Sequence, residues 1–399
     1  MDPGLDRGRV DTKGKPNSFD PQERYVNTMF LAIRDIRFAK GRFALMGGVV
    51  ALISLLLVLL SGLTAGLGNQ STSAIAELGK SANAPVSQLV FGAPGANDPK
   101  VSFTESQLTQ AQVSAWAGQP GVASAVPLGI SQTRFQGAGA TKGTTNVAVF
   151  GVGAGGAEAG ITPSAVTDGT VVIGSGVAKE LSLAVGDSVT LGGTTLKISA
   201  VVADQWYSHT SVVWTTLPTW TKLAHLSDPK QVATVAAVTY RDGATVDTGS
   251  ANTAAGTVST TRSGSFAGLG GYKSENGSLM MMQAFLYGIS ALVIVAFLTV
   301  WTVQRTRDIA VLKAMGASGK YLLKDALTQA AIVLLAGAAL GGLVGVAGGF
   351  FAAQAAPFLV TPATTILPVV GIVALGLAGA ALAVRKVTRV DALIALGGN

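Results

Sequence analysis

Few of the 399 residues carry groups suited to chemistry. Cysteine is absent and the only histidines are His209 and His225, which excludes thiolate metal sites, iron–sulfur clusters, disulfides, cysteine nucleophiles and a histidine-rich metal centre. No Ser–His–Asp set can be argued from two histidines, so no catalytic residues are expected. Gly79, Lys80 and Ser81 end like a phosphate-binding loop, but residue 74 is Ala where the motif needs its first glycine. ATP binding by this chain is therefore not expected. What remains are ligand-type groups: Glu77, the first ionisable residue after a long uncharged run, and Met280, Met281 and Met282 at the head of another. A carboxylate oxygen or a thioether sulfur can ligate a metal, and Lys80, Arg262 and Lys273 could pair with an anion or be ordinary surface charge. Three consecutive methionines cannot all face one pocket, and methionine is also a common gap filler. Tyr207 and His209 form a competing ligand pair.

The runs that would position these groups are long and apolar. The chain is 49% hydrophobic and 12% charged, against roughly 25% charged for a soluble domain. Residues 44–67 carry no charge and are long enough to cross a hydrocarbon core of about 30 Å. The run is too long for a cleaved signal peptide, whose apolar core is about 7 to 15 residues. Further runs cover 279–303, 326–353 and 366–384, so four spans are expected. The net charge of +7 is not a nucleic-acid signal, because residues 68–278 hold 11 basic and 12 acidic residues and the excess flanks the spans. Arg34, Arg37, Lys40 and Arg42, then Arg305, Arg307, Lys313, Lys320 and Lys324, then Arg385, Lys386 and Arg389 all belong on the cytoplasmic side. Both termini are expected inside, with 354–365 as a short external turn and 385–399 as a cytoplasmic tail. Residues 1–28 read as a disordered leader, and 29–43 as an amphipathic helix with Phe30, Ile33 and Ile36 opposite the basic residues.

Residues 68–278 are long enough for an extracytoplasmic domain with its own core. Residues 169–204 read as a strand, a short helix over 176–181, and two strands joined at Gly192 and Gly193. Strands are also expected over 146–152 and 232–240, and a mobile loop over 248–271. The fold class is thus a membrane protein with four transmembrane helices and an α+β domain inserted between the first two. Gly337, Gly341, Gly345 and Gly349 make a stripe along one face of the third span, and Gly62 and Gly66 a shorter one on the first. Such stripes let helices approach closely, within one copy or against a second. In the connection RTRDIAVLKAMGASGKYLLKD, Ile309, Leu312 and Met315 fall at helical spacing with Arg307, Asp308 and Lys313 elsewhere. That suits a short helix docking on a partner; a loop whose charges merely hold topology is the plainer alternative.

This connection, which includes Gly316, resembles the signature following the second span in FtsX/MacB-type ABC permeases. The tail TRVDALIALGG is similar to their closing segment, and residues 169–204 to their MacB-like core domain. The opening LAIRDIRFAKGRFALMGGVVALISLLLVLLSGLTAGLG resembles the branch holding DevC-like permeases and the HrtB-like haem exporter permeases. The resemblance implies a bacterial plasma-membrane homodimer in membrane lipid, working with a separate HrtA-like ATPase subunit that holds the ATP. It also implies haem as exported substrate rather than resident cofactor. Glu77 or one of Met280, Met281 and Met282 would then be an axial ligand, and Lys80 and Lys273 would pair with propionates. Arg307, Asp308, Ile309, Leu312, Lys313, Met315 and Gly316 would meet the ATPase. Permeases of this build also export lipids, lipoproteins, peptides or drugs, and FtsX itself is a transducer without a cargo.

Overall fold

The computed structural model describes residues 40–80, 85–137, 143–304, 306, 310–311 and 315–387. In chain order, helix α1 (Lys40–Glu77) leads to strands β1 (Gln88–Phe91) and β2 (Leu108–Thr109), helix α2 (Gln110–Ala117), and strands β3 (Val122–Gly137), β4 (Thr144–Val152) and β5 (Thr170–Gly174). Helix α3 (Ser175–Glu180), β6 (Ser188–Leu191), β7 (Thr194–Val202), β8 (Trp206–Tyr207), β9 (Thr210–Thr216) and helix α4 (Leu217–Ala224) follow. Then come β10 (Gln231–Ala233), β11 (Val235–Tyr240), helix α5 (Thr248–Ala255), β12 (Val258–Thr260) and a 3₁₀ turn at Gly264–Gly268. Three long helices close the chain: α6 (Tyr272–Gln304), α7 (Gly319–Ala352) and α8 (Pro362–Val387). Helices α1, α6, α7 and α8 are each long and apolar enough to span a membrane.

The described residues fall into two compact units, one within 40–58, 286–346 and 365–387, the other within 59–285 and 347–364. The first is a helix bundle whose centre holds Val50, Leu57, Ile294, Leu298, Leu334 and Ile372. Lipid offers these helices no hydrophobic drive to associate, so close packing must hold them. The glycines of α7 supply it: Gly337 lies against the backbone of Gly47, Gly341 against that of Ala51, and Gly345 against Val58. Within this bundle the stripe therefore packs on the first span of the same chain. The Ser54 hydroxyl adds a buried bond to the Ala338 carbonyl at 3.0 Å.

In the second unit, β3 pairs with β4 along one edge and with β6 along the other, and the pairings β4–β9, β9–β5, β5–β7 and β7–β6 complete a ring. Six strands thus close into a small barrel filled by Phe135, Val149, Ile173, Leu191 and Ile198, with Trp220 from α4 among them. The first half of β3 runs beyond the barrel and joins β11, β1 and β12 in an antiparallel layer. Helices α2 and α5 cover that layer with Val113, Trp116 and Ala251. A third cluster takes Ala74, Ile75 and Leu78 from the end of α1, each fully buried, against Phe91, Phe150 and Trp214. At 38 residues α1 is about 57 Å long. It serves as both span and stalk, and the stalk is driven into the domain core.

Two expectations change. The strand expected over 232–240 is broken at Thr234, whose N–H turns to the Leu128 carbonyl and whose hydroxyl accepts from Ile130 N at 2.8 Å. The segment 248–271 is folded rather than loose. Asp247 caps α5 by accepting from Gly249 N and Ser250 N, Gly256 ends it at φ +61°, and Ala251 anchors it by burial. The helix and strands expected over 169–204 appear as α3 and β5–β7, with Gly192 and Gly193 both at positive φ in the β6–β7 turn. The fourth helix begins four residues earlier than its apolar run, at Pro362, where proline suits a first helical turn and the Thr361 hydroxyl accepts from Thr364 N. The expected helix over 29–43, apart from its last residues, and nearly all of the tail over 385–399 lie outside the described residues.

Candidate functional site

The sequence-predicted ligands all fall in the second unit, and the structure sorts them by level along the stalk. Gln283 of α6 donates to the Thr64 hydroxyl of α1 at 3.1 Å, which aligns the two helices. Higher up, Glu275 of α6 reaches His209, which also bonds Ser71 of α1. Met280, Met281 and Met282 lie within one turn of Gln283. Glu77 lies 13 residues beyond Thr64, about 20 Å further along the axis. Glu77 and the methionines are therefore not at one depth. Glu77 instead forms an ion pair with Lys80 at 2.6 Å, both half-exposed. Arg262 donates to the Leu78 carbonyl at 2.8 Å, satisfying the end of the stalk helix.

The three methionines are 60%, 61% and 47% exposed, and as consecutive helical residues they fan around α6. Met280 and Lys273 are seven residues apart on α6, hence on one face and about 10 Å apart along the axis. Lys273 is exposed as well. A soft sulfur donor and a cation thus share an outward-facing strip at the outer end of the second span. Among the described residues no three of His, Asp and Glu converge as a metal-holding group.

The competing pair behaves otherwise. Tyr207 is 5% exposed and edge-packed on Phe103 and Phe150, and burial pushes its hydroxyl well above the ordinary tyrosine range. Ser208 and His209 both adopt positive φ in the tight turn between β8 and β9, and their N–H groups donate to the Ser71 and Gln70 carbonyls. His209 Nε2 then sits 3.1 Å from Ser71 Oγ and 3.0 Å from Glu275 Oε2. Serine, histidine and carboxylate meet here, yet both contacts use the same ring nitrogen. A nucleophile relay needs the hydroxyl on one nitrogen and the acid on the other. The arrangement is a clasp that ties the stalk, a domain hairpin and the head of α6. Neither Ser71 nor Glu275 stands out in the sequence, because the clasp depends on a left-handed turn. His209→Ala should lower the melting free energy by about 1 kcal/mol, with Glu275→Gln costing less because its amide oxygen still accepts. An unchanged thermal melt for His209→Ala would mean that the two backbone bonds hold the turn alone.

Gly62 and Gly66 pack on Phe358 and Pro357 of the connection between α7 and α8, and Gly349 on Phe358. Of the connection between α6 and α7, Arg307, Asp308, Ile309, Leu312 and Lys313 lie outside the described residues. Met315 is 72% exposed, and Gly316 takes φ +94°, a conformation that favours glycine.

Comparison with known proteins matches residues 43–255, just over half of the chain, to the MacB-like periplasmic core domain, and residues 280–392 to the FtsX-like permease C-terminal domain. The chain belongs to the FtsX/MacB-type ABC permeases. As such it is a multi-pass membrane protein with its α+β domain on the extracytoplasmic side, between the first and second spans. The permease is 27% identical over 206 residues to HrtB of Staphylococcus epidermidis, named as a hemin transport system permease protein, covering 52% of this chain and 57% of that one. It is 31% identical over 218 residues to the protein of the same name from Staphylococcus haemolyticus, covering 54% and 60%. These matches span less than two thirds of the relatives' length. The uncharacterised ABC transporter permease Rv2563 of Mycobacterium tuberculosis aligns over 388 residues, 93% of this chain and 99% of that one, at 24% identity.

Proposed function

We propose that this permease is the membrane subunit of an ATP-driven exporter that takes haem from the membrane and moves it outward. ATP hydrolysis resides on a separate ATPase polypeptide. The observation that carries the reading is the pairing of Met280 with Lys273 on one exposed face of α6. A thioether can ligate haem iron while a cation about 10 Å away meets a propionate. The relatives named for hemin transport point to the same substrate class. Haem dissolved in lipid reaches this strip laterally, without entering the domain. Met281 and Met282, beside it, are second choices for the sulfur. Glu77 and Lys80 form a short ion pair with each other, whereas the Met280 sulfur takes only a long contact from Asn276 Nδ2 at 3.8 Å, so the ion-paired residues rank below Met280 and Lys273.

Both termini lie in the cytoplasm in this reading, since α6 leaves the domain side and the connection after it must emerge opposite. Arg307, Asp308, Ile309, Leu312, Lys313, Met315 and Gly316 then form the surface that meets the ATPase. A second copy of the permease completes the transporter. Helix α6 buries one stripe, Ser290, Ile294, Leu298 and Thr302, and leaves much of its circumference for lipid or that second copy. Motion delivered by the ATPase reaches the domain through α1 and α6, which the His209 clasp joins.

The test is a haemin titration of the full-length permease in detergent, followed at the Soret band. Haem as a ligand requires a saturable, shifted band. A featureless partition matching empty micelles would remove haem and leave a permease for another hydrophobic cargo, or a transducer.

A further inference from the structure

The second unit carries a pocket that the haem reading does not use. It encloses about 370 Å³ where the connection between α7 and α8 meets the stalk and β8, and is lined by Asn69, Gln70, Trp206, Gln354, Pro357 and Phe358. That volume falls within the range of small-ligand sites, about 300 to 1,000 Å³. None of the lining residues is charged. Backbone contacts fix the walls: the Leu359 N–H donates to the Gly62 carbonyl at 3.1 Å, and a Cβ on Gly66 would stand 2.0 Å from the Pro357 carbonyl oxygen. Trp206 is pinned by its own N–H, which donates to the Ser73 hydroxyl of α1 at 2.8 Å. The side-chain amides of Asn69, Gln70 and Gln354 and the half-buried Trp206 indole, by contrast, have no hydrogen-bond partner among the described residues.

We infer that this pocket binds the neutral, hydroxyl-rich headgroup of a glycosyl diacylglycerol from the leaflet on the domain's side of the membrane. The chemistry of the lining chooses the class. Each sugar hydroxyl both donates and accepts, and a carboxamide offers both groups at once. An indole gives an apolar face to the C–H side of a sugar ring and keeps an N–H for one of its oxygens. A phosphate would be buried there beside no cation. It would also meet the end of α7 at Ala352, which carries the negative end of the helix dipole. A purely apolar ligand would leave the three amides unpaired. The lipid source rests on Phe350 and Phe351, which directly precede the lining segment and are 62% and 75% exposed. They give acyl chains an aromatic surface beside the headgroup. The site does not depend on haem being the cargo.

The experiment is native mass spectrometry of the full-length permease with dioleoyl forms of monoglucosyl diacylglycerol, phosphatidylglycerol and phosphatidylcholine added in equal amounts. Retention of the glycolipid should exceed that of either phospholipid by about tenfold, the equivalent of one or two net hydrogen bonds. The double variant Asn69→Ala/Gln354→Ala should lose that preference while holding both phospholipids as before. Both residues are exposed, so its thermal melt should match the parent's. Trp206→Ala should also lose the preference, and Trp206→Phe, which keeps an aromatic face, should retain part of it. Methyl glucoside in the same amount should be held far less, having no chains to bury. Equal retention of the three lipids by the unaltered protein would overturn the inference, as would an unchanged preference in the amide variant. Methyl glucoside held as well as the glycolipid would assign the pocket to a soluble sugar and overturn the lipid occupant.

Discussion

Gly341→Leu is expected to abolish recovery of folded permease, and Gly341→Ala to destabilise it by about 3 kcal/mol or more. A Cβ at this position would stand 2.0 Å from the Ala51 carbonyl oxygen and 2.8 Å from the Ala51 Cα. Those atoms are backbone of the first span, so no side-chain rotamer can relieve the clash. The two helices must separate, and with them go the bundle's closest contacts. Gly337 and Gly345 should follow at smaller cost, since their nearest neighbours stand at 2.6 and 2.9 Å. Gly288, with nothing within 4 Å, should accept alanine without loss. Size-exclusion profiles and thermal melts in detergent read all four. A Gly341→Leu protein that elutes and melts like the parent would show that α1 and α7 do not meet at this glycine.

The second large effect concerns haem. Met280→Ala and Lys273→Glu should each weaken haemin binding by about tenfold, and Met280→Ala should also shift the Soret maximum by removing an iron ligand. Met281→Ala points about 100° away on α6 and should leave the band nearly unchanged. Glu77→Ala should do the same, because Glu77 lies about 15 Å above the Met280 level and is engaged by Lys80. Loss of binding in Glu77→Ala with none in Met280→Ala would move the site up the stalk and away from the proposed strip.

The membrane part of this fold was legible because lipid imposes a simple demand. Uncharged runs long enough to span announce themselves, and basic residues cluster at one end of them. The glycine stripe of α7 was equally plain, but its partner was not. One stripe suits a neighbour in the same chain or in another, and only the folded bundle places Gly341 on Ala51. In the domain, the strand, helix and hairpin over 169–204 carry strong local signals, above all the paired Gly192 and Gly193. Barrel closure carries none. It rests on the far end of β3 pairing Phe135 with Leu191, 56 residues on, a register no local pattern encodes. The segment 248–271 looked loose for its glycine, serine and threonine content, although Asp247 and Gly256 bracket α5 as cap residues should. The candidate site was half legible. Residue types picked out Met280 and Lys273, but not that Glu77 stands far above them. That follows from where α1 and α6 cross-bond, through Gln283 to Thr64 and through Glu275 and His209 to Ser71.

Haem export is the central claim, and sensitivity to haemin in the organism's own membrane tests it most directly. A strain lacking this permease should stop growing at a lower haemin concentration than its parent. The intact gene should restore tolerance, and a Met280→Ala/Lys273→Glu version, made to the same level, should not. A deletion strain that tolerates haemin as well as its parent does would contradict the assignment.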